Sequence, residues 1–80
     1  MSYTVYVLED NQKKLYKGMT TSLTRRLSEH ARGKTKTTRS MSNLKLVYKE
    51  RYDTFGQARE RELYLKTAAG RRFLKKLLEY

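Results

Sequence analysis

Residues 3–20 read Tyr3-Thr4-Val5-Tyr6-Val7-Leu8, then Glu9-Asp10-Asn11-Gln12-Lys13-Lys14, then Leu15-Tyr16-Lys17-Gly18-Met19-Thr20. The first run is dense in β-branched and aromatic side chains, Asp10 to Lys13 is turn-like, and Leu15 to Met19 alternates apolar with other residues. Two such runs around a turn predict a β-hairpin. The hairpin sets Tyr6 and Tyr16, ten residues apart, on paired strands.

Working outward, Thr21 or Ser22 can cap a helix through about Ala31, with Gly33 as its stop signal. Leu23, Leu27 and Ala31 then form one apolar stripe, and Arg26 and His30 stack along its side. Residues 32–43 hold cations and hydroxyls but one large apolar side chain, which predicts a mobile basic loop. Leu44, Leu46 and Tyr48 alternate with Lys45, Val47 and Lys49 as in a third strand. Thr54 and Gln57 form a capping box for a helix to about Ala69, which Gly70 should end, and a last helix follows from about Arg71 to Glu79. The order β-β-α-loop-β-α-α predicts a single α+β domain over residues 1–80: a three-stranded, mostly antiparallel sheet flanked by helices.

Length and composition narrow the chemistry. A chain of 80 residues buries only ~60–65% of its unfolded surface, so the core is small. Without cysteine, and with a single histidine, thiolate and multi-histidine metal sites are excluded, so any metal must be held by oxygen. The formal net charge of +11 points to a polyanionic partner, nucleic acid before all others. A basic membrane-surface protein is the competing reading, weakened by the lack of tryptophan and by cations scattered through every element. No apolar run approaches a membrane span or a signal-peptide core, which gives a soluble, cytoplasmic expectation.

Glu62 is informative because of its helical phase. On a helix from Thr54 it falls in the arc of Phe55, Ala58, Leu65 and Ala69, whereas Glu60 points away. A carboxylate on the inward face needs a partner, either a salt bridge to Arg26 or another basic side chain, or a hard divalent ion. Mg²⁺ is bound by one or two carboxylates together with water and substrate phosphate, so one glutamate can suffice. Free tyrosine titrates near ~10, so a tyrosine base needs positive charge nearby, from Arg26, Lys17 or a metal. Arg26 suits phosphate through its fork of permanently charged donors. His30 is either a packed, hydrogen-bonded residue or one that orients water or phosphate. Lys17, Arg25, Arg32, Lys34, Lys36 and Arg39 are the candidate nucleic-acid contacts. Convergence of Tyr6, Tyr16, Arg26 and Glu62 on one concave surface is the geometric expectation.

In order and spacing these pieces resemble a small stand-alone GIY-YIG nuclease domain, the module also found in homing endonucleases and in the incision subunit of bacterial excision repair. Thr4-Val5-Tyr6 falls on the first tripeptide and Tyr16-Lys17-Gly18 on the second; Leu23 to His30 resembles the helix carrying the family arginine, here Arg26. Thr38-Arg39 ahead of Leu46-Val47-Tyr48, and Ala58 to Glu62 ahead of Leu65-Lys66, resemble later stretches of the single-domain branch. The resemblance implies a DNA endonuclease with Mg²⁺ or Mn²⁺ on Glu62, Tyr6 supported by Tyr16 as general base, and Arg26 stabilising the phosphoryl oxygens. Catalytic roles thus fall on Tyr6, Tyr16, Arg26, His30 and Glu62, with DNA repair as a setting and a partner protein as a source of sequence specificity. The chain departs from the pattern at Thr4, where the family has glycine, and at Lys17, where it has an apolar residue. It departs again at Met19, where members often carry lysine, histidine or tyrosine. The alternative function is a catalytically silent nucleic-acid-binding module of the same fold.

Overall fold

The structure is a computed structural model and describes residues 2–33 and 43–78; Lys34, Lys36, Arg39 and most of the expected basic loop lie outside them. The elements are β1 (Tyr3–Glu9), β2 (Leu15–Thr20), α1 (Leu23–Ala31), β3 (Lys45–Tyr52), α2 (Phe55–Leu65) and α3 (Ala68–Leu77). The strands form one antiparallel sheet in the order β2-β1-β3, so the α+β architecture is as the patterning requires. Asp10 closes the hairpin: its Oδ1 accepts from the Gln12 and Lys14 amides, at 2.9 and 2.8 Å, and Lys13 takes φ 64°.

β1 is the middle strand, hydrogen-bonded on both edges, and helices cover both of its faces. Val5 and Val7 form one face and pack with Ala58 and Leu65 of α2 and Leu74 of α3, all fully buried. Tyr6 and Leu8 point the other way, as alternation in a strand demands, and Tyr6 meets His30 of α1. In β2, Lys17 and Met19 pair with Val7 and Val5 and share the α2/α3 face, whereas Tyr16 and Gly18 pair with Leu8 and Tyr6 and share the α1 face. Met19 accordingly packs against the apolar cluster.

Three local expectations are corrected. In β3 the register shifts between Val7 and Leu8, so Tyr48 pairs with Val7 but Leu46 with Leu8. This bulge sends Leu46 and Tyr48 to opposite faces, although simple alternation put them on one. Phe55, expected on the inward arc of its helix, is 57% exposed, edge-on to Tyr3, because it is the first residue of α2 and precedes the stretch that meets the sheet. The third correction concerns Gly70, which does not end a long helix. α2 stops at Leu65, Thr67 caps α3 by accepting from the Gly70 amide at 3.1 Å, and Gly70 sits within α3. A Cβ on Gly70 would lie 2.1 Å from the Tyr64 carbonyl oxygen and 2.5 Å from the Leu65 Cα, so the glycine permits a tight corner between the helices.

Candidate active site

The site grows from Gly18. A Cβ there would stand 2.6 Å from the Tyr6 hydroxyl oxygen and 3.2 Å from a Tyr16 ring carbon, so only glycine lets the Tyr6 side chain lie across β2. With that space open, the Tyr6 oxygen comes 3.0 Å from His30 Nε2 and accepts from Arg26 Nε at 3.3 Å. Both partners belong to α1 and lie one turn apart, which is why a single helix can present them together. The Tyr16 ring completes the cluster, edge-on to His30 with centroids 4.9 Å apart and 6.2 Å from the Tyr6 ring. Arg26 is also fixed by Glu29, to which its Nη1 donates at 2.9 Å.

Burial grades this cluster from inside to outside. Tyr6 is 0% exposed and His30 3%, whereas the Arg26 side chain is 33% exposed. Tyr16 is half-buried. Burial pushes the Tyr6 hydroxyl up to about 12, and the Arg26 hydrogen bond offsets only part of that rise. Burial also lowers the His30 pKa, and the Arg26 charge lowers it further against the opposing effect of Glu29. The imidazole is therefore neutral near pH 7. The Tyr6 oxygen accepts from Arg26 Nε, and its hydroxyl donates to His30 Nε2 in the Nδ1–H tautomer of the imidazole or accepts from it in the other. The hydrogen bond to Tyr6 and then the one to Glu29 raise the Arg26 pKa, so the guanidinium is permanently charged.

The structure brings Tyr6, Tyr16, Arg26 and His30 together. It does not bring Glu62 into contact with them. Glu62 is on the inward side of α2, 7% exposed, in the layer on the other face of the sheet. Its Oε1 accepts from Arg59 Nη1 at 2.8 Å and its Oε2 from Lys66 Nζ at 3.3 Å, so its basic partners come from its own helix and that helix's C-cap, not from Arg26. Of the candidate nucleic-acid contacts, Arg25 and Arg32 are exposed on and just after α1, beside Arg26. Lys17 is on the opposite face, near Lys66 and Arg71. Sequence reasoning puts Arg71 with Arg72, Lys75 and Lys76 on a basic face of the last helix, open to phosphate or simply solvated, and does not single out Lys66; the signal that could have found Lys66 was Thr67, a capping residue that ends the preceding helix at the corner where both cations approach Lys17.

Metal binding can be tested on the donor set. Among the described residues no three His, Cys, Asp or Glu side chains cluster, so a protein-only cage is absent there. A carboxylate has about four lone-pair positions. Arg59 and Lys66 take one on each Glu62 oxygen, leaving positions that fit a hard cation completed by water and phosphate.

Residues 2–76 match the family model described as the GIY-YIG catalytic domain. A UPF0213 protein of Natronomonas pharaonis is 41% identical over 64 residues, covering 79% of this chain and 75% of its own length. Another, from Syntrophus aciditrophicus, is 41% identical over 64 residues, or 78% of this chain and 74% of the relative. The solution NMR structure of a UPF0213 protein from Bacillus halodurans superimposes with a TM-score of 0.61 at 31% identity, over 96% of this chain and 85% of that one.

Proposed function

The chain belongs to the GIY-YIG family, whose members are generally nucleases, and from that premise we propose that it is a metal-dependent endonuclease acting on DNA. The buried bond between Tyr6 and a neutral His30, beside a fixed Arg26, is the observation that carries this reading. Tyr6 as the group that meets water directly is set aside, because it is fully buried and holds its proton up to about 12. Tyr16 instead, half-buried beside Tyr6, is the more exposed tyrosine of the pair. As water attacks phosphorus, its proton passes to the Tyr16 oxygen while Tyr16 gives its own to Tyr6 and Tyr6 gives its own to His30 Nε2. The imidazolium so formed is the proton store from which the leaving oxygen is neutralised. Arg26 faces the non-bridging oxygens and stabilises the charge that builds on them. Mg²⁺ or Mn²⁺ when bound would supply Lewis-acid polarisation; Glu62, the candidate holder, lies in the layer on the other face of the sheet from Tyr6 and Arg26, so it would serve the same phosphate only from around the β2 edge.

Incubating the purified protein with labelled duplex, branched and single-stranded substrates, with Mg²⁺, Mn²⁺ or EDTA, tests the proposal. Cleavage that requires the ion is expected. Its absence on every substrate would favour the alternative, a nucleic-acid-binding module without turnover, a reading supported by the cations already on both Glu62 oxygens.

A further inference from the structure

Lys17 occupies an improbable position. Its partner is Val7, in the row that includes Val5 and Met19, and that face of the sheet packs against α2 and α3. An apolar residue fits such a row; a lysine must carry its ammonium out past it. Where it emerges there are more cations. Burial lowers the Lys17 pKa, and Arg71 and then Lys66 lower it further. Lys66 pairs with Glu62, Arg71 donates its Nη1 to the Lys66 carbonyl at 2.8 Å, and among the described residues no carboxylate pairs with Lys17 or Arg71. The glycine-tight corner at Gly70 fixes the relative positions of Lys66 and Arg71. Glu62 offsets one of the three cations; the charge left on Lys17 and Arg71, held on a built corner with Lys17 half-buried, favours a further anion there.

β2 is the outer strand of the sheet, and cations stand on both of its faces: Arg26 on the tyrosine side, the corner on the other. A polyanion touching both must turn around the strand edge within a few nucleotides. Duplex DNA, with a persistence length of ~150 base pairs, resists such a turn, whereas an unpaired strand does not.

We propose that Lys17, Lys66 and Arg71 form a second phosphate clamp, and that the strand bound is single-stranded, wrapping the β2 edge from this clamp to Arg26. The proposal rests on the nucleic-acid reading above and extends it to a substrate class. Fluorescence anisotropy with a labelled single-stranded oligonucleotide and a duplex of the same length, in EDTA over a salt series, tests it without turnover. For the single strand, K17Q/K66Q/R71Q should flatten the log-log salt slope by about 2, near 0.7 per lost contact, and reduce any preference over duplex. Lys17→Met, which suits the apolar row and preserves the fold, should flatten it by about 0.7. An unchanged slope in both folded variants overturns the clamp; an equal loss on duplex overturns the wrapped single strand. A clamp found in a protein that cuts nothing would sink the nuclease reading and leave this one standing.

Discussion

The side chains that carry the chemistry can be separated by single substitutions. Tyr6 and His30 act as a unit, so Tyr6→Phe breaks the path for the proton and should lower the cleavage rate by ~10²–10⁴ with little change in binding. Gly18→Ala tests the same site through space. The new methyl falls 2.6 Å from the Tyr6 oxygen, so the hydroxyl must leave His30, and a comparable loss of rate is expected in a protein that still binds DNA. Glu62→Ala separates two roles. As metal holder its loss abolishes cleavage and leaves affinity equal or slightly raised; as a salt-bridge partner of Arg59 and Lys66 alone it lowers the melting temperature and leaves the cleavage rate intact. Much of this site was legible in the residues: paired tyrosines, an arginine and a histidine one helical turn apart, and an inward glutamate. Sequence spacing could not show that Tyr6 would be the innermost member, because burial of that hydroxyl depends on the empty space over Gly18 and on α1 folding back over it.

At the scale of elements, α1 is the simplest case. It spans the expected residues and ends at Gly33, which takes φ 71° with its amide bonded to the His30 carbonyl at 3.0 Å, but its N-cap Ser22 makes no side-chain cap bond; Thr20 Oγ1 instead accepts from the Ser22 amide at 3.1 Å. The break between α2 and α3 was harder to read, since Thr67 and Gly70 sit inside an otherwise helical pattern and the Thr67 cap competes with continuation of the helix. The β3 bulge has no local signal at all; it settles which face each of Leu46 and Tyr48 covers, a matter between layers. Two substitutions check the corner. Thr67→Ala removes the bond to the Gly70 amide and should cost about 1 kcal/mol, or ~4–8 °C of melting temperature in a domain this small. Gly70→Ala drives a methyl into backbone atoms that cannot step aside, and should cost more than the cap does. Calorimetry on the two proteins ranks them.

For the whole molecule, stability and activity meet in the protonation of His30. Its folded pKa lies below the unfolded value of ~6.5, so the unfolded chain binds a proton more readily. Stability from this group is complete above about pH 6.5 and falls as the pH drops through the interval below it. Glu50 adds to the loss at lower pH: burial alone would raise its pKa, but Arg61, Tyr48 and Tyr52 hydrogen bonds outweigh burial and hold it below the ordinary value. Thermal melts from pH 7.5 to 5.5 should show the decline, and His30→Gln should lose the part due to the imidazole. The same substitution is the most direct test of the proposed relay. Glutamine can still hydrogen-bond Tyr6 but cannot store a proton, so the account predicts that His30→Gln folds and binds DNA while its Mg²⁺-dependent cleavage rate falls by ~10²–10⁴ at pH 7.5. A folded His30→Gln protein that cuts at the unmutated rate would contradict it.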